Sequence, residues 1–372
     1  MCAVKLREDL RRDGLAMHFL LSEKEMRVLA AAVPDAVINV GYPGICAEEL
    51  ATCQRIVRGL AAQSVESAVV GHACPAHVAA LEAAASIAEN TSVNVWVPCS
   101  RGLARRIAPS QPETFLASCV AVVRQWTSAH TTPIDVALVD ATAAEEGICE
   151  RAIGLAERFS EVGCRHVIIG DTMGTATPSR LLPLFDGLAG RGVPFEFHGH
   201  DDGGRLVDNI QVAVDSGAVG IGCAAFGLGE RGTLADTRFV AGLLSLPCNC
   251  SAYADFAELH RAYRDTHRGC EGLLDPATIT TGAQLRLRRG VPGTRLLFGV
   301  TSDRQVLGEM LGVRPDLLDP ELLRELKDTM YREKRCALSP ADVLAFLDDR
   351  QKPWCAWRQR IQEPHGKWKE DA

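Results

Sequence analysis

The hydrophobic pattern of the chain alternates between two periods. Short apolar runs, many of them rich in β-branched residues, are typical of buried strands and recur near Ala3–Leu6, Ala36–Val40, Ser67–Gly71, Val93–Val97, Ile134–Val139, His166–Ile169, Phe195–His198 and Gly220–Cys223. Segments with helical periodicity follow each run: Glu23–Ala32, Ala47–Ala61, Ala76–Ala88, Pro112–Thr127, Glu145–Glu161, Arg180–Ala189, Leu206–Asp215 and Leu234–Leu244.

Eight strand–helix units in about 245 residues predict one large α/β domain. Strands that alternate with helices form a parallel sheet, and this number of units has the size of a (β/α)8 TIM barrel. An open, doubly wound sheet is the alternative that the same periodicity allows. Helix-start signals agree with the assignment, because Ser22 and Glu25 form a capping-box pattern and Pro178 opens a later helix.

The pattern changes after residue 247. Helical periodicity continues without convincing strands in Ala254–Arg264, Pro276–Leu287, Arg304–Leu311, Pro320–Glu333 and Pro340–Asp348. We therefore expect a barrel domain over residues 1–247 and a mainly α-helical C-terminal region over residues 248–372. Because the barrel already has a complete core, we expect this region to pack on the barrel or across the interface of a homodimer.

Composition and charge narrow the class of partner. The chain has 372 residues, 47% of them hydrophobic, and a formal net charge of −7. Lysines and arginines are scattered among acids, so a small-molecule partner is favoured over nucleic acid. No run approaches the roughly 18 apolar residues of a membrane span, and the 14 cysteines are dispersed without a CxxC pair. We expect a cytoplasmic protein with reduced cysteines and no membrane association.

Two histidines follow the seventh predicted strand. Period-2 alternation places His198 and His200 on the same side of that strand. Imidazole is a common metal ligand, so this pair predicts a divalent-metal site at the carboxyl ends of the strands. Two ordinary surface histidines are the alternative. The site prediction gains support from the Gly-rich turn that runs from Gly227 to Gly232 after the eighth strand.

A charged segment follows the first strand, at the same predicted face of the barrel. Asp13 is a candidate third metal ligand, because only the eighth strand separates the first from the seventh. Arg12 is a candidate for polarising a substrate oxygen while a keto acid chelates the metal. A solvated charge cluster is the alternative. After the sixth strand, Thr172 is a candidate for binding a substrate carboxylate. The structural alternative at this strand end is that Asp171 caps the following turn.

Four motifs together resemble one enzyme superfamily. LRRDG near the N-terminus, DTMGTATP, HGHDD and GLGERG are similar, in order, to the signatures of the metal-dependent acyl-CoA carboligases and lyases, which include isopropylmalate, homocitrate and citramalate synthases and 3-hydroxy-3-methylglutaryl-CoA lyase. The resemblance extends over residues 3 to about 245. It implies a TIM barrel, a metal held by Asp13, His198 and His200, catalysis by Arg12 and binding of the 2-oxo acid carboxylate by Thr172.

Departures from the family pattern indicate a changed acceptor. Asn39 stands where an acid is usual, Leu234 where an asparagine often contacts the metal, and Asp140 lies in a reduced fifth-strand motif. Asp236 or water is expected to fill in for the asparagine. Ala137 replaces the arginine that homocitrate synthases carry on the fifth strand. These differences argue against a plain homocitrate synthase.

The resemblance also implies a reaction. Arg231 occupies the position of the lyase cysteine, so the synthase direction is expected: acetyl-CoA as cosubstrate condenses with a 2-oxo acid, assisted by one divalent cation such as Mg, Mn or Zn. His267, within the segment from Tyr263 to Gly272, is the candidate base, with a surface histidine as the alternative. Arg101 and His72 are candidate readers of the acceptor's second anion, and either is equally compatible with a structural role.

Two other functional classes remain open at this level. One is a carbon–carbon lyase or aldolase on the same barrel. The other is a catalytically silent binding or scaffold barrel. The sequence leaves the identity of the 2-oxo acid and of the metal undetermined.

Overall fold

Eight parallel strands close into a barrel in the computed structural model, which describes residues 4–14, 20–230, 234–266, 278–279, 295–335 and 337–348. The barrel strands follow the order of the sequence, and β1 pairs with β8 to close the sheet. They are β1 Lys5–Glu8, β2 Val37–Asn39, β3 Ser67–His72, β4 Thr91–Pro98, β5 Ile134–Val139, β6 Val167–Asp171, β7 Phe195–Gly199 and β8 Gly220–Cys223. The prediction of a TIM barrel is confirmed.

Helices connect these strands and cover the barrel. In the barrel part they are α1 Leu10–Asp13, α2 Glu23–Ala32, α3 Ala47–Ala61, α4 Pro75–Ala85, α5 Arg101–Ile107, α6 Pro112–Ala129, α7 Ile148–Glu161, α8 Pro178–Gly190, α9 Leu206–Asp215 and α10 Thr237–Leu243. Their apolar faces pack on the outside of the sheet; α3 buries Cys53, Ile56, Val57 and Leu60 at helical spacing. The predicted capping box is present, since the Glu25 carboxylate accepts a hydrogen bond from Ser22 N at 2.6 Å.

The inside of the barrel is polar on the side of β1 and β7. Alternate residues of a barrel strand face the interior, so Arg7 and Asp9 lie on one inner wall and Glu196 and His198 on another. At the amino-terminal end Arg7 Nε donates to Glu196 Oε2 at 2.6 Å and Nη2 donates to Asp135 Oδ2 at 2.8 Å. These buried ion pairs fill the amino-terminal end of the barrel interior, below the residues at the carboxyl ends of the strands.

The C-terminal region adds four α-helices, one 3-10 turn and two short strands to the described part of the chain. They are α11 Cys250–Thr266, β9 Thr278–Ile279, β10 Arg295–Leu296, α12 Arg304–Leu311, a 3-10 turn Pro315–Leu317, α13 Pro320–Arg332 and α14 Pro340–Asp348, and α11 packs on α2 of the barrel. The prediction of a mainly α-helical C-terminal region is confirmed, but it expected no strands and two short ones are present. The helix predicted over 276–287 is wrong at Thr278–Ile279, where β9 pairs with β10 in parallel. Thr and Ile are β-branched and favour extended backbone, which outweighed the apolar spacing.

Apolar residues from both parts of the chain join one buried cluster, to which Tyr253, Phe256, Phe298 and Val343 belong. The described cysteines are free thiols, as expected, and most are buried. No helix among the described residues combines the length and apolar character needed to cross a membrane.

Candidate active site

Three predicted metal ligands meet at the carboxyl end of the barrel. His198 is the penultimate residue of β7, His200 follows the strand, and Asp13 ends α1, the short helix that turns the chain after β1. Asp13 Oδ2 lies 3.7 Å from His198 Nε2 and 3.7 Å from His200 Nε2. One ligand atom from each of the three lies within 4.8 Å of the other two, and all three residues are buried.

This donor set fits one divalent cation. Two ligand atoms with bonds of about 2.1 Å to a shared ion lie about 3.4 Å apart in tetrahedral geometry, close to the observed spacing. Asp13 Oδ2 is buried and has no hydrogen-bond partner among the described residues. A buried carboxylate oxygen without a partner is costly, and a cation between it and the two imidazoles would remove that cost.

Asp9 orients His198, and the sequence analysis assigned no role to Asp9. Asp9 Oδ2 lies 2.8 Å from His198 Nδ1, which leaves Nε2 as the nitrogen directed to the cluster. Burial raises the pKa of Asp9, but the charge of Arg12 and the hydrogen bond with His198 hold it below its ordinary value. Period-2 phasing with Arg7 on β1 is the sequence signal that places Asp9 inside the barrel.

The departure at Asn39 has a structural explanation. Its side-chain Nδ2 donates to Asp9 Oδ1. An acid here would face the Asp9 carboxylate, whereas the amide supplies a donor that stabilises it. The Oδ1 atom of Asn39 is buried without a hydrogen-bond partner in the described part of the chain.

Arg12 lies over the imidazole of His198. Its Nη1 atom is 2.9 Å from Nε2 and 3.3 Å from Nδ1. Because these two distances are nearly equal, the guanidinium lies above the ring face and not along the in-plane lone pair of Nε2. Burial lowers the pKa of Arg12, but Asp9, whose carboxylate is 3.7 Å away, and further contacts hold that pKa above its ordinary value. The guanidinium is therefore a permanent positive charge beside the cluster.

Thr172 lies at the same face, at the end of β6. Its hydroxyl accepts a hydrogen bond from Asp140 N at 2.8 Å. Asp171 holds the following turn, since its carboxylate accepts from Ala176 N at 3.1 Å and from the Thr142 hydroxyl at 2.6 Å. Asp140 has a left-handed backbone with φ of 64° and accepts from the Ser100 hydroxyl at 2.5 Å. The altered motif after the fifth strand is thus hydrogen-bonded to Ser100, the residue that caps the start of α5.

The two predicted anion readers occupy different surroundings. His72 ends β3, and its ring is 4.5 Å from that of His77 and 4.0 Å from that of Trp96. Burial, with the nearby His77 and Lys327, lowers the pKa of His72 to about 3, so its imidazole is neutral and offers no positive charge to an anion. Arg101 is exposed at the start of α5, and its Nη1 donates to Glu145 Oε1 at 3.2 Å.

Two positions from the sequence analysis, His267 and Arg231, lie outside the described residues. Asp236, the expected substitute for a metal-contacting asparagine, caps α10 by accepting from Phe239 N and also accepts from the Tyr253 hydroxyl at 2.7 Å. Leu234 is buried in the apolar core. The described cluster therefore consists of three protein ligands.

A second group of metal-ligand types lies at the opposite end of the barrel. Asp135, His166 and Glu196 are close enough together to hold an ion. Their carboxylates, however, already accept from guanidinium groups: Arg7 contacts both acids, and Arg165 Nη2 donates to Asp135 at 2.7 Å. Two arginines neutralise two acids here, so an added dication would bring excess positive charge. We interpret this group as a structural ion network.

Comparisons with known proteins agree with this architecture. The HMGL-like family model matches residues 1–264. A homocitrate synthase of Sulfolobus acidocaldarius is 25% identical over 239 residues, which cover 63% of this chain and 50% of that protein. A 2-isopropylmalate synthase of Pseudoalteromonas atlantica is 28% identical over 242 residues, or 61% of this chain and 44% of that protein. The chain thus spans about half the length of the curated relatives it matches.

Solved structures show the same fold. A hydroxymethylglutaryl-CoA lyase from Pseudomonas aeruginosa superimposes with a TM-score of 0.58 and 20% sequence identity, covering 73% of this chain and 97% of that one. At this level of identity the likeness shows the fold alone, and the chemistry has to be argued from the site.

Proposed function

Because the chain belongs to the HMGL-like family, we propose that it is a metal-dependent acyltransferase that condenses acetyl-CoA with a 2-oxo acid. The observation that carries this proposal is the buried group of Asp13, His198 and His200, with an unpartnered carboxylate oxygen at its centre and Arg12 beside it. A donor set of two imidazoles and one carboxylate suits a catalytic cation with positions left for substrate.

The residues divide the chemistry among them. Asp13, His198 and His200 would hold the cation, which supplies Lewis acidity toward the keto and carboxylate oxygens of the 2-oxo acid. Arg12 donates to the keto oxygen, on which negative charge develops as the acetyl α-carbon bonds to the keto carbon. Thr172 binds the acceptor's carboxylate through its hydroxyl.

Proton transfer and release complete the reaction. A base takes one proton from the acetyl α-carbon, the alkoxide regains a proton, and water hydrolyses the thioester to free CoA and a 2-alkylmalate-type acid. His267 is the proposed base.

The acceptor wall lies on β3 to β5. Trp96 and the neutral ring of His72 pack together there, and Ala137 stands where homocitrate synthases are expected to carry an arginine. These three side chains carry no positive charge, but the charge of Lys327 is near enough to lower the pKa of His72. On His72, Trp96 and Ala137 alone an acceptor with an apolar side chain is proposed, and a dicarboxylic acceptor would need Lys327 or Arg101 as its second cationic partner.

A panel of 2-oxo acids with acetyl-CoA tests the synthase proposal. Released CoA should be followed by chromatography, because an exposed cysteine such as Cys250 would also react with a thiol reagent. We expect CoA release that depends on both the 2-oxo acid and added Mg, Mn or Zn. Cleavage of 3-hydroxy-3-methylglutaryl-CoA without any condensation would favour the lyase alternative, against which Arg231 at the lyase cysteine position argues.

A catalytically silent barrel is the remaining alternative, and metal analysis addresses it directly. His200→Ala removes one imidazole from the proposed centre. We expect this variant to lose the bound cation and all metal-dependent CoA release while it stays folded. Full metal occupancy together with full activity would place the centre elsewhere.

We also propose a homodimer. Leu317 and Leu344, in the C-terminal region, are among the exposed large apolar side chains. Burial of such side chains between copies is favourable, and the region follows a barrel that has its own core. Light scattering at assay concentration should give twice the monomer mass, and a fully active monomer would contradict the proposal.

A further inference from the structure

A second buried polar centre lies behind Arg12, and its hub is Glu49. This carboxylate, in the first turn of α3, is fully buried. Its Oε1 accepts from Arg11 Nη1 at 2.6 Å and from Tyr42 N at 3.0 Å. Its Oε2 accepts from Arg11 Nη2 at 2.8 Å and from the Tyr331 hydroxyl at 2.5 Å. One carboxylate thus joins α1, the end of β2 and α13.

Arg11 fixes the short helix that carries Arg12. Besides the two bonds to Glu49, its Nε donates to Leu21 O at 2.9 Å and its Nη1 donates to Val40 O at 2.7 Å. The side chain is completely buried. Arg11 and Arg12 are adjacent in α1. The Arg11 side chain points away from the site, and its buried contacts hold in place the backbone from which the Arg12 side chain reaches His198.

Tyr42 gives the hub a second route to Arg12. Glu49 holds the backbone N–H of Tyr42, and the Tyr42 side chain is hydrogen-bonded to the Arg12 side chain. Arg12 is therefore restrained through its own helix and through a side-chain partner, and both restraints depend on Glu49. Gly41 leaves room for this arrangement: a Cβ there would lie 2.1 Å from Arg11 Nη1 and from Glu49 Oε1.

Tyr331 connects the C-terminal region to this centre. On the same helix, Asp328 Oδ1 accepts from Glu48 N at 3.4 Å, so α13 is held against the start of α3 at two points. We propose that Glu49 is a positioning residue for Arg12 and that Tyr331 makes the placement of Arg12 depend on α13. The proposal deepens the proposed acyltransferase function and rests on it only for its kinetic consequence.

The test uses Tyr331→Phe, because Glu49→Gln strands a buried guanidinium and is at risk of not folding. Tyr331→Phe removes one hydroxyl and keeps the ring. The direct readout is the Nε–H NMR signal of Arg12 in arginine-labelled protein, assigned by its loss in Arg12→Lys. We expect this signal to shift and to exchange faster with solvent in Tyr331→Phe.

Tyr253→Phe is the matched control for that signal. It removes a hydroxyl that also links the C-terminal region to a barrel carboxylate, that of Asp236. We expect the Arg12 signal to stay in place in this variant. An unchanged Arg12 signal in Tyr331→Phe, or an equal shift in both variants, would overturn the proposal, and neither result depends on whether the protein is an acyltransferase.

Kinetics give the consequence once a substrate is identified. Misplacement of a catalytic donor lowers kcat without weakening ground-state binding, so we expect a fall of about tenfold in kcat with KM changed less than about twofold. A purely structural role predicts a lower Tm with unchanged kcat for the folded protein. That result, or a change confined to KM, counts against a positioning role. If the wild-type protein shows no condensation, the proposed function fails. The NMR comparison then decides by itself whether the contact of Tyr331 with Glu49 positions Arg12.

Discussion

Asp9 Oδ2 lies 2.8 Å from Nδ1 of His198, deep in the barrel and behind the three proposed metal ligands. The contact selects one tautomer of the imidazole, with the proton on Nδ1 and the free lone pair on Nε2. Asn39 donates to the other oxygen of the same carboxylate, so Asp9 cannot rotate without losing a buried partner.

Asp9→Asn tests this orientation. With Asn39 still donating to Oδ1, the new amide would direct its N–H toward His198 Nδ1 and force the proton onto Nε2, the wrong tautomer for a ligand. We expect a loss of about 10–100-fold in affinity for Zn or Mn, measured by calorimetry. Asp186→Asn, an exposed change on α8, is the control. Equal affinities in wild type and Asp9→Asn would refute the tautomer argument.

Arg12→Lys tests the charge above the imidazole. Lysine keeps the charge but loses the planar group that spans His198, Asp9 and Tyr42. We expect kcat to fall roughly 10²–10³-fold with metal content unchanged. Arg124→Lys, on an exposed position of α6, should leave kcat within a factor of two or so. Near-normal turnover in Arg12→Lys would remove this arginine from the mechanism.

Gly222→Ala tests the space beside the metal centre. A Cβ at this β8 position would lie 2.7 Å from His198 Nδ1 and 3.2 Å from Asp9 Oδ2. We expect a loss of about 1–3 kcal/mol in the free energy of unfolding and weaker metal binding. Gly242→Ala in exposed α10 is the matched control, since its Cβ meets nothing within 4 Å. There we expect a gain of about 0.5–1 kcal/mol. Chemical denaturation measures the free energy of unfolding of both variants. An unchanged stability of Gly222→Ala would show that His198 and Asp9 can move to make room for the methyl group.

Glu8→Gln tests a buried acid. Burial raises the pKa of Glu8 to about 7, although Leu10 N, Ala225 N and the Thr237 hydroxyl donate to it. The folded state therefore binds the proton more tightly than the unfolded chain, whose ordinary value is 4.5. The stabilising effect is complete below pH 4.5 and is lost as the pH rises through about 7.

The amide of glutamine does not ionise. Its oxygen can accept from Leu10 N and Ala225 N, and its Nε2 can donate to the Thr237 hydroxyl oxygen in place of accepting from it. Relative to Glu8→Gln, the wild-type free energy of unfolding should fall by something on the order of 3 kcal/mol between pH 4.5 and pH 8. Urea denaturation at several pH values measures the difference. Exposed Glu89→Gln should show no such trend. A difference that is constant with pH would mean that the pKa of Glu8 is not raised in the folded state.

The sequence predicted the barrel because burial on both faces makes each strand a short apolar run. Ile134–Val139 and Gly220–Cys223 have the predicted bounds, as do helices such as Glu23–Ala32. It missed α1 and α5, which are too short for periodicity to reveal.

Within the candidate site, spacing and order along the chain were enough to bring together Asp13, His198 and His200. They were not enough for contacts between residues far apart in sequence, such as Asp9 with His198 or Glu49 with Tyr331. Such pairs leave no local pattern. Arg11 illustrates the limit: beside Arg12 it looks like part of a charged surface, yet it is fully buried and faces the other way.

The division of labour inside the barrel bears on how the protein can be redesigned. The proposed metal ligands and their supports come from the ends of β1, β2 and β7 and from α1, whereas His72, Trp96 and Ala137 stand on β3 to β5. A library confined to His72, Trp96 and Ala137 would vary the shape offered to an acceptor and leave the proposed metal ligands unchanged. Acceptor preference can therefore be redesigned separately from the proposed metal centre.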